Sequence, residues 1–350
     1  MSESDVLLKV SQVSNEYKGN GLDILKKRET NQVLNQVSFD IKENEFFGLV
    51  GESGCGKSTL GKAILGLIDF QGTITVDAEK RTRKNKKAMA RKVQAVFQDP
   101  LSALNPKKTI GYTLEEPLKI HGIGNKEERS KRVNEILELV GLESSYRNRY
   151  PKELSGGQRQ RVCIGAALML EPRLIIADEA ISALDVSVGS QILNLLQEIH
   201  DKFSLSLLFI SHNLNVVYYL CDRIAVMYGG NIVELGDAKS IYENPLHPYT
   251  KILLSAIPDI NTDDWKKEKQ SLSEMKKILH NQDYYQEIIQ ENIQENNRKK
   301  NDNALQNAGC CFKAKCPYRT QQCLEEIPQF TNQAADGEKP HFVSCFLIDI

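Results

Sequence analysis

Eight consecutive residues have the composition of a phosphate-binding loop. They read Gly51-Glu-Ser-Gly-Cys-Gly-Lys57-Ser58, a G-x-x-x-x-G-K-S pattern, between the apolar run at 46–50 and a helix expected from Thr59 onward. Glycines let the backbone curl so that successive N–H groups point at phosphate oxygens, and the helix N-terminus adds positive potential. Lys57 can reach the β- and γ-phosphates, and the Ser58 hydroxyl can hold Mg²⁺. The pattern predicts a site for ATP or GTP rather than a glycine-rich turn without function.

Two acids and one histidine follow apolar runs later in the chain. Asp178 and Glu179 end the run Leu174-Ile-Ile-Ala, and His212 comes after the run at 205–210. Carboxyl ends of parallel strands meet at one edge of a sheet, so we expect these side chains beside the phosphate loop. An Asp there can hold Mg²⁺, a Glu can polarise water, and a His can stabilise the γ-phosphate. Singly they also fit surface acids and a structural histidine; with the loop, they predict nucleotide hydrolysis.

A second potential anion site lies at Leu154-Ser-Gly-Gly-Gln158, before a helix expected over 159–169. Ser155 is a favourable N-cap, and the two glycines leave backbone N–H groups uncovered. A Ser-Gly-Gly turn that only caps a helix is the simpler interpretation. Two phosphate cradles in one chain are better explained if two chains face each other across a nucleotide.

The composition predicts a folded protein without a membrane span. The 350 residues are 41% hydrophobic and 26% charged, and the net charge of −1 gives no overall attraction to nucleic acid. No apolar run approaches the roughly 18 residues of a transmembrane helix. The polar start Met-Ser-Glu-Ser-Asp is unlike a signal peptide, so we expect the chain to stay in the cytoplasm.

Apolar spacing predicts an α/β protein with a mostly parallel sheet. Strands are expected at residues 6–11, 32–41, 46–50, 72–76, 174–177 and 205–210, and helical stripes at residues 133–140 and 188–199. Residues 99–172 are expected to form a mostly helical insert. The basic run at 80–92 is expected to be a solvated surface loop.

Five of the eight cysteines are Cys310, Cys311, Cys316, Cys323 and Cys345. Clustered thiols in a reducing compartment indicate metal ligands before disulfides. Their spacing lacks the C-x₂-C pairs of a zinc ribbon, whereas three nearby thiols, one followed by Pro, with a distant fourth suit a [4Fe–4S] cluster. The expected ligands are Cys310, Cys316, Cys323 and Cys345. Zn²⁺ and free thiols stay open as alternatives, and Cys311 is either a bystander or a substitute ligand.

The order of these motifs resembles that of the ATP-binding subunits of ABC transporters. Gln98 in Val-Phe-Gln-Asp-Pro and Asp185 in Ser-Ala-Leu-Asp complete the set, over roughly residues 5–258. The resemblance implies an ABC-type P-loop ATPase with a RecA-like core, an antiparallel β subdomain and a helical subdomain at about 99–172. The implied organisation is an ATPase domain at 1–258, a polar and partly helical linker at 259–308, and a small Cys-rich extension at 309–350.

The resemblance also implies a role for each matching position. Glu179 would be the catalytic carboxylate, assisted by His212, Gln98 and Lys57, and Asp185 would lie at a dimer seam. The implied ligands of ATP and Mg²⁺ are Tyr17, Gly51, Glu52, Ser53, Gly54, Cys55, Gly56, Lys57, Ser58, Thr59, Gln98, Asp178 and His212, with Mg²⁺ on Ser58, Gln98 and Asp178. The implied contacts to ATP bound on the opposite subunit are Ser155, Gly156, Gly157 and Gln158.

Longer segments resemble the oligopeptide/dipeptide/nickel importer branch, among them Asn244-Pro-Leu-His-Pro-Tyr-Thr-Lys251. This implies an ATPase on the cytoplasmic face of the membrane that powers oligopeptide import. Its partners would be a second, unlike ATPase subunit in a heterodimer, two permease subunits and an extracytoplasmic peptide-binding protein, with no nucleic acid. A nickel importer is the alternative. The branch has a similar Cys tail, which favours iron–sulfur. An ATPase acting on DNA or ribosomes is disfavoured, since the chain has neither long heptad coiled coils nor two cassettes.

Overall fold

The computed structural model of the chain describes residues 5–18, 30–182, 184–255, 309–335 and 337–347. The linker expected at 259–308 therefore lies outside the described residues. Within the described ranges, no helix combines the length and the apolar character needed to cross a membrane.

Four strands near the N-terminus form an antiparallel sheet in the order β2-β1-β4-β5. The strands are β1 (Val6–Lys18), β2 (Thr30–Lys42), β4 (Gln71–Val76) and β5 (Glu79–Lys80). In β1, Leu8 and Val10 are buried while Lys9 between them is exposed, because successive side chains of a strand point to opposite faces. The predicted strands at 6–11, 32–41 and 72–76 are confirmed here, and β1 extends further than expected.

A second sheet has eight strands in the order β11-β12-β10-β9-β3-β8-β7-β6. Its strands are β3 (Phe46–Val50), β6 (Val93–Val96), β7 (Leu174–Asp178), β8 (Ser206–Ser211), β9 (Arg223–Tyr228), β10 (Asn231–Asp237), β11 (Thr331–Asn332) and β12 (Phe342–Val343). The five strands from β9 to β6 are parallel, which confirms the predicted parallel sheet. Strands β10, β12 and β11 add an antiparallel edge.

The parallel strands are buried on both faces. Phe47 stacks on Phe39 of the antiparallel sheet, with ring centroids 5.2 Å apart, whereas its neighbour Phe46 faces His200 on the other side, at 4.8 Å. Strands covered on both faces read as continuous apolar runs, which is why β3, β7 and β8 were predicted from sequence.

Eleven helices are found among the described residues. They are α1 (Lys57–Leu65), α2 (Lys86–Lys92), α3 (Pro100–Ala103), α4 (Ile110–His121), α5 (Lys126–Leu139), α6 (Gly156–Leu168), α7 (Val186–Phe203), α8 (Leu214–Leu220), α9 (Ala238–Glu243), α10 (Pro248–Ser255) and α11 (Gln321–Glu325). Helices α3 to α6 lie between β6 and β7, in the region expected to be a helical insert. The prediction of a solvated loop over residues 80–92 is wrong for residues 86–92, which form α2. This helix packs on the core through the fully buried side chain of its Met89.

The C-terminal segment at 309–347 packs onto the edge of the eight-stranded sheet. Strand β12 pairs with β10, placing Val343 opposite Glu234. The Glu234 carboxylate is fully buried, bonds to the His341 ring at 2.8 Å and accepts the amides of Leu246 (2.8 Å) and His247 (3.0 Å). A buried carboxylate needs such partners, so this contact anchors the C-terminal segment to the eight-stranded sheet.

Candidate nucleotide site

The phosphate loop connects β3 to α1 and depends on its glycines. Gly51 has φ 154° and Gly56 has φ 111°. A Cβ at Gly51 would lie 2.2 Å from the Met227 carbonyl oxygen, and one at Gly56 would lie 2.9 Å from the Val33 carbonyl oxygen. Side chains are excluded at both ends of the loop, while Glu52, Ser53 and Gly54 between them are exposed. The helix that follows has no side-chain cap at Gly56, and a helix N-terminus of this kind favours an anion.

Lys57 folds back into the loop. Its ammonium group is buried and donates to the carbonyl oxygens of Gly51 and Glu52, both at 2.8 Å. The next residue, Ser58, donates its hydroxyl to the Asp178 carboxylate at 3.0 Å. The structure therefore joins the loop to the end of β7, two segments 120 residues apart in sequence.

The carboxyl ends of β3, β8 and β7 lie side by side at this edge. Val50 pairs with Ser211, and Asp178 pairs with Ile210. The Nδ1 atom of His212, directly after β8, lies 3.4 Å from Glu179 Oε1. The sheet thus brings together the two acids and the histidine that sequence placed at this edge.

The two acids differ in environment. Burial raises the pKa of Asp178, partly offset by the hydrogen bond from Ser58, and the charge of Glu179 raises it further. Glu179 has φ 49°, a left-handed conformation uncommon outside glycine, and its amide donates to the Ile210 carbonyl at 2.9 Å. Strained backbone of this kind is concentrated at functional sites, where surrounding bonds hold it.

Gln98 and Tyr17 complete the expected nucleotide contacts. Gln98 follows β6, the neighbour of β7 in the sheet, and its side chain is exposed. Tyr17 lies in β1, but its side chain is outside the described residues, so adenine stacking stays a prediction. Thr59 lies in the first turn of α1 and is partly buried.

The Ser155–Gln158 segment forms the N-terminus of α6 as a capping box. Ser155 Oγ accepts the Gln158 amide at 3.3 Å, and Gln158 Oε1 accepts the Ser155 amide at 3.0 Å. A Cβ at Gly157 would lie 2.4 Å from Val188 Cγ1, so any side chain there would force Val188 to shift. Gly156 is exposed, and a Cβ there would meet only Leu184 at an ordinary 3.5 Å. One face of this helix start is thus packed and the other is open.

Asp185 caps the neighbouring helix α7. Its exposed carboxylate accepts the Val188 amide and the Ser187 hydroxyl, both at 3.0 Å, and these bonds lower the pKa of Asp185. Val188 is also the residue against which Gly157 packs, so Asp185 and the Ser155–Gln158 segment belong to one surface.

The tail thiols are brought together, although not as a formed metal site. Cys310, Cys323 and Cys345 are buried and Cys316 is half-buried, whereas Cys311 is exposed. Burial, with a smaller contribution from the charges of Cys345, Cys310 and Cys323, raises the pKa of Cys316 to about 11, so the four groups lie within electrostatic range. Still, no group of three or more His, Cys, Asp or Glu residues in the described ranges has the geometry to hold a metal ion.

Two residues of the loop region have environments that sequence alone does not give. Cys55 lies at a helix N-terminus, a position that commonly lowers the pKa of a thiol, but it is buried, and burial raises its pKa despite the nearby charge of Lys57. Tyr249 was missed as a site residue, yet its hydroxyl oxygen accepts the amide of Glu52 at 2.8 Å. Its only sequence signal was its place in the Pro-Leu-His-Pro-Tyr-Thr motif.

Comparisons with known proteins agree with this geometry. The family model described as ABC transporter matches residues 34–182, and the one described as oligopeptide/dipeptide transporter, C-terminal region, matches residues 233–283. The first match contains the phosphate loop and Asp178–Glu179, and the second contains Tyr249.

Curated relatives and solved structures point the same way. The chain is 40% identical to the oligopeptide transport ATP-binding protein AppF of Bacillus subtilis, over 90% of this chain and 89% of that protein. It is 50% identical to OppF of the same organism, over 66% of this chain and 78% of that protein. An ATP-binding cassette dimer in a post-hydrolysis state with ADP and Pi superposes with a TM-score of 0.59 and 32% identity, over 66% of this chain and 99% of that structure.

Proposed function

Since this chain belongs to the family of ABC ATP-binding subunits of oligopeptide importers, we infer that it hydrolyses ATP to power oligopeptide uptake through a membrane permease. The single observation that carries the inference is the convergence of Lys57, Ser58, Asp178, Glu179 and His212 at one sheet edge, within a chain that matches such subunits over nine-tenths of its length. A nickel importer would use the same ATPase chemistry, because this chain does not contact cargo.

The phosphate loop is proposed to bind the ATP phosphates. Its residues 52–54 are exposed to solvent, and the buried Lys57 ammonium donates to the neutral carbonyl oxygens of Gly51 and Glu52. A phosphate oxygen can take those hydrogen bonds with a large gain in Coulomb energy. Oxygen donors suit Mg²⁺, so Ser58, Asp178 and Gln98 would hold the ion, which supplies neutralisation of phosphate charge.

Glu179 is proposed to orient and polarise the water that attacks the γ-phosphorus in line with the bond to the β-phosphate oxygen. That bond breaks, and ADP and phosphate are the products. His212 would hold the Glu179 carboxylate in position and donate to the γ-phosphate. The His212 side chain is 59% exposed, so it can reach a phosphate bound in front of the sheet edge.

The Ser155–Gln158 segment is proposed to contact ATP bound to a second subunit. Its open face at Gly156 and the exposed Asp185 beside it suit a dimer seam. We propose that the second subunit is a different ATPase, giving a heterodimer with two unlike sites. Two permease subunits and an extracytoplasmic peptide-binding protein would complete the importer, with this chain at the cytoplasmic face of the membrane.

The cysteine tail is proposed to hold a [4Fe–4S] cluster, with Zn²⁺ as the alternative. Support comes from the closeness of Cys310, Cys316, Cys323 and Cys345, whose charges interact, because a bound metal centre would stabilise their thiolate forms. The thiols would have to move closer than they are. To test this, the full chain is purified without oxygen from iron-supplemented cells and from zinc-supplemented cells, and its iron, sulfide and zinc are measured. If neither preparation contains metal, the proposed metal centre is refuted.

Uptake measurements test the function. Cells that lack this chain receive the wild type, Glu179→Gln, or the control Glu243→Gln, which alters an exposed carboxylate with only a loose contact to Lys239 at 3.9 Å. Each strain is offered labelled peptide and labelled nickel. Peptide uptake restored by the wild type and the control but not by Glu179→Gln supports the proposal. If the wild type restores nickel uptake alone, the chain is assigned to a nickel importer instead. If neither uptake depends on the chain, the importer proposal is refuted.

A further inference from the structure

We propose that Tyr249 is a positioning residue for the phosphate loop, and that the cysteine-rich tail influences ATP affinity through it. The inference rests on ATP binding at this loop and is independent of the cargo.

The contact joins distant parts of the chain. The Glu52 amide donates to the Tyr249 hydroxyl oxygen at 2.8 Å, across 197 residues. The carbonyl of the same residue, Glu52, accepts from the Lys57 ammonium at 2.8 Å. Tyr249 therefore restrains the backbone at the residue that holds the lysine expected to bind phosphate.

Tyr249 is itself held by the tail. It is 1% exposed and packs against Tyr228 at 4.7 Å and against Phe312 at 5.5 Å, measured between ring centroids. Phe312 is 2% exposed and also contacts the rings of Tyr228 and His247. Burial raises the pKa of Tyr249, so its hydroxyl stays neutral. The position of the hydroxyl thus depends on an aromatic side chain supplied by the tail.

Phe312 lies within the cysteine cluster. It follows Cys310 by two residues, and its carbonyl accepts the amide of Cys316 at 3.0 Å. The Cys310 amide in turn bonds to the Cys323 carbonyl at 2.8 Å. Any change in how these thiols are held must therefore act on the backbone that carries Phe312.

A second contact from the tail reaches the same loop residue. Lys315 Nζ lies 3.6 Å from the Glu52 carboxylate. Exposed ion pairs of this length contribute little, so we assign the main effect to Tyr249. Both tail contacts nevertheless meet at Glu52, which marks it as the point where the tail acts on the loop.

The expected effect is on binding. With its hydrogen bond to Tyr249, the loop is ordered before ATP arrives; without it, part of the binding free energy is used to order the loop. A net hydrogen bond corresponds to a change in Kd of roughly threefold to tenfold. The rate of hydrolysis at saturating ATP should change less, because Glu179 and His212 are not involved in the contact.

The test uses the full chain with Glu179→Gln, so that Mg-ATP binds without turnover. Tyr249→Phe removes only the hydroxyl and keeps the ring packing. Tyr242→Phe is the matched control, a half-buried tyrosine in the same region whose ring stacks on Tyr218. We expect Tyr249→Phe to weaken ATP binding about threefold to tenfold and to accelerate hydrogen exchange at the Glu52 amide. Tyr242→Phe should leave both measurements at the values of the Glu179→Gln parent chain.

A second comparison tests the tail. Phe312→Leu keeps an apolar side chain against Tyr249 but removes the aromatic ring that packs on it. The Kd for ATP is measured for this variant, for Tyr249→Phe and for the double variant. If the double variant weakens binding much less than the sum of the two single effects, the tail acts through Tyr249; if the effects add, the proposed action of the tail through Tyr249 is overturned. Unchanged Kd and exchange in Tyr249→Phe overturn the positioning role, even if the melting temperature falls. Failure of the parent chain to bind ATP would instead refute the proposed function.

Discussion

Two adjacent glycines at the start of α6 make it possible to separate effects on packing from effects on function, because the same substitution by alanine can be made at each. Gly156→Ala and Gly157→Ala each add one methyl group at adjacent positions of the same helix. The Cβ at Gly157 would lie 2.4 Å from Val188 Cγ1, whereas the Cβ at Gly156 would have Leu184 at 3.5 Å as its nearest neighbour. The structure therefore predicts opposite effects on stability.

The magnitude follows from two terms. Replacing Gly by Ala in a helix gains up to about 1 kcal/mol, and somewhat less in the first turn. Both variants share this gain, so it cancels in the comparison. Forcing a methyl group to within 2.4 Å of Val188 requires a shift that costs roughly 1–3 kcal/mol. We expect Gly157→Ala to be less stable than Gly156→Ala by about 1–3 kcal/mol, and Gly156→Ala to equal or exceed the wild type.

Urea unfolding of the full chain measures this difference, with Gly157→Ala/Val188→Ala as the rescue variant. Val188→Ala removes the methyl group that clashes, so the double variant should recover at least about 1 kcal/mol relative to the sum of the single effects. Equal stability of the two glycine variants, or no coupling to Val188, would show that the packing at this helix start is wrong.

The same pair tests the proposed contact with a partner's nucleotide. Gly156→Ala keeps the fold but places a methyl group on the open face of the helix start. In the assembled transporter we expect ATP hydrolysis to fall on the order of 10- to 100-fold, since misplacement of about 1 Å has effects of that size. Full activity of a stably folded Gly156→Ala transporter would refute the phosphate-contact role of this segment.

Three further predictions concern single side chains. Asp178→Asn should stabilise the nucleotide-free chain at pH 7 by about 0.5–2 kcal/mol in urea unfolding. Burial raises the pKa of Asp178, so the gain should vanish as the pH falls through that pKa and the wild-type acid becomes neutral; a gain that persists in acid would contradict the reasoning. Glu179→Gln should lower turnover roughly 10²- to 10⁴-fold with little change in ATP affinity, measured by phosphate release and equilibrium binding; similar losses in both would point to a binding role. Cys55, whose pKa burial raises, should be alkylated more slowly at pH 8 in the folded chain than in urea, as followed by peptide mass spectrometry; faster labelling in the folded chain would contradict this reasoning.

The sequence was sufficient for three strands of the central sheet, β3, β7 and β8, and for the helices α1, α5, α6 and α7. The other strands of that sheet, β6, β9, β10, β11 and β12, were not predicted. Strands such as β7 and β8 are continuous apolar runs because both of their faces are covered, and a buried strand of that kind leaves an unambiguous local signal. Helix α5 could be predicted because its buried residues recur at helical spacing. At α2 the local signal failed, since a run rich in Lys and Arg hides the one buried methionine that fixes the helix.

For the nucleotide site, the sequence was enough to predict which residue types take part, but only the sheet topology decides which of them lie next to each other. Spacing placed Asp178, Glu179 and His212 at strand ends, and only the strand order β3-β8-β7 could place those ends side by side. The hydrogen bond from Ser58 to Asp178 joins residues 120 positions apart, and no local pattern encodes such a contact.

The chemistry of the chain was thus determined by its sequence, because phosphate binding and hydrolysis require particular residue types at fixed local spacing. Burial and long-range contacts were decided only by the tertiary structure. Cys55 lies at a helix start, a position that commonly lowers the pKa of a thiol, yet burial in the surrounding core raises it. Tyr249 in α10 meets Glu52 across 197 residues of sequence, and such contacts between distant segments depend on how the whole chain folds.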